Sequence, residues 1–288
     1  MAFLEVKNIN YSYSKGTPFE IAALHDCSFA VEKGEYVGVI GHTGSGKSTL
    51  MQMLNALQKP DSGAVFLDGK DINTDKVSAR DARFRVGLCF QYPEYQLFEE
   101  TVRKDIAYGP TNMKLSPEEI EQRVLEAADI VGLAPELLDK SPFDLSGGEK
   151  RRAAIAGVMA MKPEVLILDE PAAGLDPIGR KVIMDMIDKY RAATGATVLL
   201  VSHSMETVAS VADRILVLNK GTIAMDGTVD SVFSHAKELI EMGLDVPAVT
   251  RIAVRLKEMG YAVNTGVYSV ADAAQMLLQV LGKKEGQA

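Results

Sequence analysis

Residues 41–49 read Gly-His-Thr-Gly-Ser-Gly-Lys-Ser-Thr, and the residue types at that spacing are suited to holding phosphate. Gly41, Gly44 and Gly46 let the backbone approach an anion closely, with Ser45 inside the same loop. N–H groups of such a loop, and of the helix it opens, point at the β-phosphate of a bound nucleotide. Lys47 neutralises phosphate charge, the Ser48 hydroxyl can coordinate Mg2+, and Thr49 can donate a further hydrogen bond. His42 lies inside the loop at a position where the backbone matters more than the ring.

A second constellation closes the apolar run Val165 to Leu168, which is followed at once by Asp169 and Glu170. Two carboxylates at the C-terminal edge of a parallel sheet stand where open α/β folds bind ligands. Asp169 is suited to hold Mg2+ through water. Glu170 is free to polarise the water that attacks a γ-phosphate. The plain alternative is a pair of helix-capping acids before Pro171.

These two features alone fit a kinase or a GTPase as well. Residues 145–152 read Leu-Ser-Gly-Gly-Glu-Lys-Arg-Arg and open an Ala-rich helix running to Met161. Its N-terminal N–H groups and positive dipole end make another anion site. An LSGG turn followed shortly by the two acids resembles the signature of the ATP-binding cassette (ABC) ATPases. The resemblance implies ATP and Mg2+ as cofactors. It also implies that Ser146, Gly147 and Gly148 act in trans, on the γ-phosphate held by an opposite subunit. Gln91 resembles the family's glutamine that senses Mg2+ and the attacking water, and Asp176 resembles the aspartate that crosses the dimer interface. His203 resembles the switch histidine that contacts the γ-phosphate. Tyr13 resembles the aromatic that stacks on adenine, with Tyr11 a competing candidate. His25 and His235 have no such context.

The elements that must position these groups are legible in outline. Phe3 to Tyr13 alternates apolar and polar residues as a half-buried strand does, and a second strand is expected over Cys27 to Val31. Tyr36 to Ile40 is an uninterrupted apolar run entering the glycine loop, and Leu50, Met53, Leu54 and Leu57 recur beyond it at helical spacing. Val165 to Leu168 and Val198 to Val201 read as parallel strands covered on both faces, with Ile183, Ile187 and Tyr190 marking an amphipathic helix between them. Ser116 before Pro117, Glu118 and Glu119 is an N-cap signal within a stretch that reads as a helical insertion over 93–160. After the Lys220-Gly221 turn the chain is expected to be helical to its end, with Ile252, Leu256 and Met259 on one face.

The fold class implied is α/β, a P-loop NTPase of ABC type. It carries a mostly parallel sheet, an antiparallel β subdomain, the helical insertion and a small helical C-terminal domain. The expected boundaries are 1–228 for the ATPase domain and 229–288 for the accessory helices.

Composition narrows the class further. The chain has 288 residues, 47% hydrophobic and 24% charged, average values for a folded globular protein. A formal charge of −8, with no long Lys/Arg run, argues against general nucleic-acid binding. No apolar stretch reaches the ~20 residues that cross a bilayer, and the start lacks the pattern of a signal peptide, so a cytosolic location is expected. Cys27 and Cys89 both sit in apolar surroundings without metal-type spacing and are expected to be buried thiols.

The segment Phe90 to Val102, FQYPEYQLFEETV, closely resembles the energy-coupling factor (ECF) group of ABC transporters, in the form of the second of the group's two ATPases. That group imports vitamins and transition metal ions. The resemblance implies a second ABC ATPase, a transmembrane coupling subunit and a substrate-binding membrane subunit as partners, with the chain peripheral on the cytoplasmic membrane face. Glu94, Glu99 and Glu100 are candidates to receive arginines from the coupling subunit. An ABC importer served by an external binding protein, or a dedicated cobalt or nickel system, is the runner-up. A soluble ABC protein would need tandem cassettes or a coiled-coil insertion, neither of which is seen. A kinase would lack LSGG, and a non-hydrolysing regulator would lose Glu170 or His203.

Overall fold

The computed structural model describes residues 2–285. Its centre is a six-stranded sheet in which β3 (Tyr36–Ile40), β7 (Val165–Asp169) and β8 (Thr197–Val201) are buried at every position. Such strands need apolar side chains on both faces, which explains the uninterrupted runs in the sequence. With β6 (Val86–Cys89), β9 (Arg214–Asn219) and β10 (Thr222–Thr228), the strand order is β10-β9-β3-β8-β7-β6. All neighbours are parallel except β10, which returns antiparallel on β9.

A second, antiparallel sheet has the order β2-β1-β4-β5, from β1 (Leu4–Tyr13), β2 (Ile21–Val31), β4 (Ser62–Leu67) and β5 (Lys70–Asp71). Its apolar face and the six-stranded sheet enclose one core, with α1 (Lys47–Leu54) between them through Leu50, Met51, Met53 and Leu54. The opposite face of the parallel sheet is covered by α5 (Gly147–Met159) and α6 (Pro177–Thr194), and α6 buries the expected Ile183, Ile187 and Tyr190. Truncating a fully buried residue there, such as Ile187, to alanine would cost about 2–5 kcal/mol.

α2 (Lys76–Arg85) leads into β6 and α7 (Met205–Val211) lies between β8 and β9, while within 93–160 lie α3 (Val102–Asn112), α4 (Pro117–Ile130) and α5, packed on one another. Ser116 caps α4 as expected, accepting from the Glu119 N–H at 3.2 Å.

Three expectations are corrected. The strand set at Cys27–Val31 begins six residues earlier, at Ile21: the apolar run Ile21–Leu24 pairs with Tyr11–Tyr13 as a hairpin arm, and the polar, exposed His25 and Asp26 between it and Cys27 break the pattern in the sequence. After Gly221 the chain does not turn helical directly. Thr222–Thr228 forms β10, alternating half-buried and exposed positions, and helices α8 (Val229–Ser234), α9 (Ala236–Glu241), α10 (Ala248–Glu258) and α11 (Val270–Glu285) follow. On α10 the inward positions are Thr250 and Ala253. Of the stripe read from the sequence, Leu256 packs against the small core of Val267, Ala273 and Met276, while Ile252 is 51% exposed and Met259, just past the helix, is 63% exposed. Both cysteines are buried, as expected, and burial pushes the Cys89 thiol up to about 12.

Candidate functional site

Three adjacent strands set the site. Register pairs Val39 of β3 with Val201 of β8, and Val201 with Asp169 of β7, so the loops leaving all three emerge at one edge of the sheet. That edge therefore receives the glycine loop, Asp169–Glu170 and Ser202–Ser204 together. β6 adds a fourth loop: Cys89 pairs with Leu168, so Gln91 leaves the sheet beside Glu170, exposed.

The glycine loop needs its glycines. Gly44 and Gly46 hold φ of 81° and 102°, and a Cβ on Gly46 would lie 2.7 Å from the Ala23 carbonyl. α1 starts at Lys47 with no side chain capping it, which leaves its first N–H groups available to an anion. Lys47 is buried and folds back, Nζ donating to the carbonyls of Gly41 at 2.6 Å and His42 at 3.0 Å. Burial lowers its pKa, and the charges of Glu170 and Asp169 oppose that shift. Ser48 Oγ donates to Asp169 Oδ2 at 2.7 Å. Tyr13 is 39% exposed, with its hydroxyl 2.8 Å from Thr49 Oγ1, whereas Tyr11 reaches Gln58 and packs against the core. Tyr13 is thus the aromatic set beside the phosphate loop.

Glu170 is a non-glycine residue at φ 51°, a conformation that costs on the order of 1 kcal/mol and is concentrated at functional sites. Its N–H is tied to the Val201 carbonyl at 3.0 Å. Burial, then the neighbouring Asp169 charge, pushes its carboxyl up to about 7, against the pull of Lys47 and Arg180. Oε1 is buried without a hydrogen-bond partner and lies 3.6 Å from His203 Nε2. Burial and the Lys47 charge lower the His203 pKa, so its imidazole is neutral near pH 7. The Ser45 hydroxyl is likewise buried without a partner.

These features fit a nucleotide triphosphate with its metal. The loop offers uncapped N–H groups and a lysine held only by carbonyls, and the Ser48–Asp169 oxygen pair has hard-cation chemistry. Among the described residues no cluster of three or more His, Cys, Asp and Glu side chains forms a metal cage.

The remaining expected residues stand elsewhere. Ser146 caps α5, and Gly147 and Gly148 are exposed in its first turn. The Ser146 N–H and hydroxyl both donate to Glu149, at 2.8 and 2.6 Å, and not to anything on the phosphate loop. Asp176 caps α6, accepting from the Gly179 N–H at 2.7 Å at an exposed position.

Glu94 departs from the expectation. It is not an open receptor for a partner's arginine, because Arg151 of the same chain already fills its carboxylate at 2.5 and 3.0 Å. Glu100 is exposed and pairs with Lys104, and Glu99 is half-buried. Sequence reasoning also missed Arg180, which donates to Ser204 Oγ at 3.4 Å and so joins the start of α6 to the loop of His203. Four-residue spacing from Asp176 was the available signal, since it places Arg180 one turn inside the helix that Asp176 caps.

Fold and site together define an ATPase of the P-loop class, with the Ser146-capped start of α5 standing apart from the phosphate loop on the same chain. An ABC transporter family model matches residues 24–173. The energy-coupling factor transporter ATP-binding protein EcfA2 of Caldanaerobacter subterraneus subsp. tengcongensis is 51% identical over 282 residues, covering 96% of this chain and 97% of that one. The protein of the same name from Clostridium perfringens is 50% identical over 279 residues, covering 96% and 98%. Among solved structures, cbiO1 from Clostridium perfringens, part of the ABC transporter complex cbiONQ, superposes with a TM-score of 0.74 at 36% identity, covering 90% of this chain and 97% of that one. A dimeric post-hydrolysis state of the cassette MJ0796, bound to ADP and Pi, gives 0.70 at 28%, covering 78% and 98%. The chain belongs to the ABC transporter family of ATPases, in its energy-coupling factor branch. It binds and hydrolyses ATP.

Proposed function

We propose that the chain is the ATP-hydrolysing subunit of an energy-coupling factor transporter that powers uptake of vitamins or other micronutrients through membrane partners. The observation that carries this is the convergence of Lys47, the Ser48–Asp169 pair, Glu170 and His203 at one sheet edge, while Ser146 opens a different helix. Half of the phosphate-binding surface then belongs to the next subunit. The MJ0796 cassette, solved as a dimer, supports that arrangement.

In this reading the loop N–H groups and Lys47 hold the β- and γ-phosphates, Tyr13 takes the adenine, and Ser146, Gly147 and Gly148 grip the γ-phosphate of the partner's nucleotide. Ser48, Asp169 and Gln91 would hold Mg2+, which neutralises charge on the transferring phosphoryl group. Glu170 accepts a proton from the attacking water, in a pocket where burial has made its carboxylate more basic. His203, neutral and adjacent, orients the base and the γ-phosphate. Asp176 crosses the dimer interface at the start of α6.

The partners are a second ABC ATPase, a transmembrane coupling subunit and a substrate-binding membrane subunit. In this reading the chain is peripheral on the cytoplasmic membrane face and transport runs through those partners; among the described residues no helix is long and apolar enough to cross a membrane. A groove of about 320 Å³ beside the segment after Gln91, lined by Arg83, Leu97, Phe98, Asp105 and Tyr108, suits a helix of the coupling subunit. Phe98 and Tyr108 are 59% and 50% exposed and stack edge to face at 5.0 Å on its rim. Residues 1–228 would form the ATPase unit and 229–288 an accessory unit whose helices strengthen the dimer. A dedicated cobalt or nickel system is the second reading, favoured by the cbiO1 likeness. Co-purification with the encoded membrane neighbours separates the two: recovery of a vitamin-binding membrane subunit supports the first, a metal-transport set the second.

Glu170→Gln tests the assigned base. It is expected to abolish turnover while ATP still binds. Undiminished hydrolysis would remove Glu170 from the role.

A further inference from the structure

Arg151 lies on α5, five residues beyond Ser146, and its side chain is almost wholly enclosed, 5% exposed. Nε and Nη2 bind both oxygens of Glu94 at 3.0 and 2.5 Å, and Nη1 donates to the carbonyls of Ala173 at 2.7 Å and Pro171 at 3.4 Å. The guanidinium also lies 5.7 Å from the ring centre of Tyr92. One side chain thus grips the turn that follows Gln91 and the loop that begins with Glu170.

Both gripped segments are unusual in their backbone. Tyr92 and Glu170 each hold a positive φ, 55° and 51°, which persists only where surroundings enforce it. The carbonyls that Arg151 binds belong to the residues one and three places after Glu170. A planar fork with five donors is the one side chain able to satisfy a bidentate carboxylate and two carbonyls together.

We infer that Arg151 is a positioning residue for hydrolysis. Through Glu94 and the carbonyls of Pro171 and Ala173 it fixes the catalytic loop to the turn after Gln91, and it does so from the same helix that presents Ser146 to the neighbouring subunit. The inference rests on the proposed role of Glu170, and it adds a physical route by which engagement of Ser146 in one nucleotide sandwich reaches the chain's own base. No atom of Arg151 needs to touch nucleotide.

The test uses the full chain assembled with its partner ATPase and membrane subunits, comparing wild type, Arg151→Met, Arg151→Lys and Glu94→Gln. Displacing a base by a fraction of an ångström without disturbing the phosphate loop lowers kcat and spares binding. Arg151→Met is expected to lose kcat by on the order of 100-fold with ATP affinity changed less than about twofold, and Arg151→Lys to recover part of it. Glu94→Gln keeps the carbonyl bonds and is expected to lose kcat several-fold with the same affinity. Equal kcat in Glu94→Gln and wild type, or ATP affinity falling in step with kcat, would overturn the inference. Should Arg151→Met not fold, the lysine and Glu94 variants decide by the same criteria. A wild-type complex that hydrolyses no ATP would instead count against the proposed function itself.

Discussion

Glu170 Oε1 stands 3.6 Å from His203 Nε2, on loops that leave neighbouring parallel strands at the same edge. The carboxyl is pushed up to about 7 and the imidazole pKa is lowered, so near neutral pH neither group carries a full charge before nucleotide enters. Two groups whose environments move them in opposite senses are suited to share a proton-handling task.

The pH dependence of turnover follows from that pairing. Glu170 accepts a proton only when ionised, so kcat/KM is expected to rise with pH on an acid limb centred near 7. Arg180 is among the charges holding that value down, and Arg180→Gln is expected to move the limb to higher pH. A steady-state profile from pH 5.5 to 9 measures both.

The same shift has a stability consequence of definite sign. A carboxyl raised from 4.5 to about 7 in the folded state gives stability that is fully present below pH 4.5 and is lost as pH rises through 7. Glu170→Gln removes the loss, so the variant is expected to melt higher than wild type at pH 8 and not at pH 4. The gain is at most about 3 kcal/mol, at 1.36 kcal/mol per unit. Differential scanning calorimetry at the two pH values reads it.

Ser48 and Asp169 touch each other directly, and both oxygens suit Mg2+. Chelation with EDTA is expected to abolish turnover reversibly. Asp169→Asn is expected to lower kcat by on the order of 100-fold or more and to raise the Mg2+ concentration needed for half-maximal rate.

Glu94 and the two acids that follow it, half-buried Glu99 and exposed Glu100, should separate cleanly. Glu94→Ala strands the buried Arg151 charge and is expected to cost about 3–5 kcal/mol in chemical denaturation. Glu99→Ala with Glu100→Ala is expected to leave stability within about 1 kcal/mol, since the Glu100–Lys104 pair is solvated. If those two acids meet the coupling subunit, the double variant co-purifies with less of it.

What the sequence made legible was local. The phosphate loop, Asp169–Glu170 and the LSGG turn are contiguous runs whose chemistry follows from residue type and from the strand or helix they border. The buried parallel strands declared themselves by unbroken apolar runs. Long-range pairings were invisible: Arg151 reads as one of three basic residues on a surface helix until Glu94, 57 residues earlier, is placed beside it. Glu94 reads as one acid among several for the same reason. β10 was lost because its half-buried alternation, centred on Ile223 and Met225, is interrupted by small and polar residues in a two-sided edge strand. The polar His25-Asp26 pair in mid-strand concealed the outer half of β2. The grip of Glu149 on Ser146 is written in the sequence as S-x-x-E, a capping box that shares its residues with the LSGG turn.

The central claim is that one nucleotide is held by Lys47 of one subunit and Ser146 of another. The direct measurement is the molar mass in solution of the full-length Glu170→Gln chain, alone and with its partner ATPase, with and without ATP, beside the same chain carrying Ser146→Arg as well. ATP is expected to drive dimer formation in the first and not in the second, while both bind ATP at the phosphate loop. A Glu170→Gln chain saturated with ATP that remains monomeric alone and with the partner, or one whose dimer is indifferent to Ser146→Arg, would contradict it.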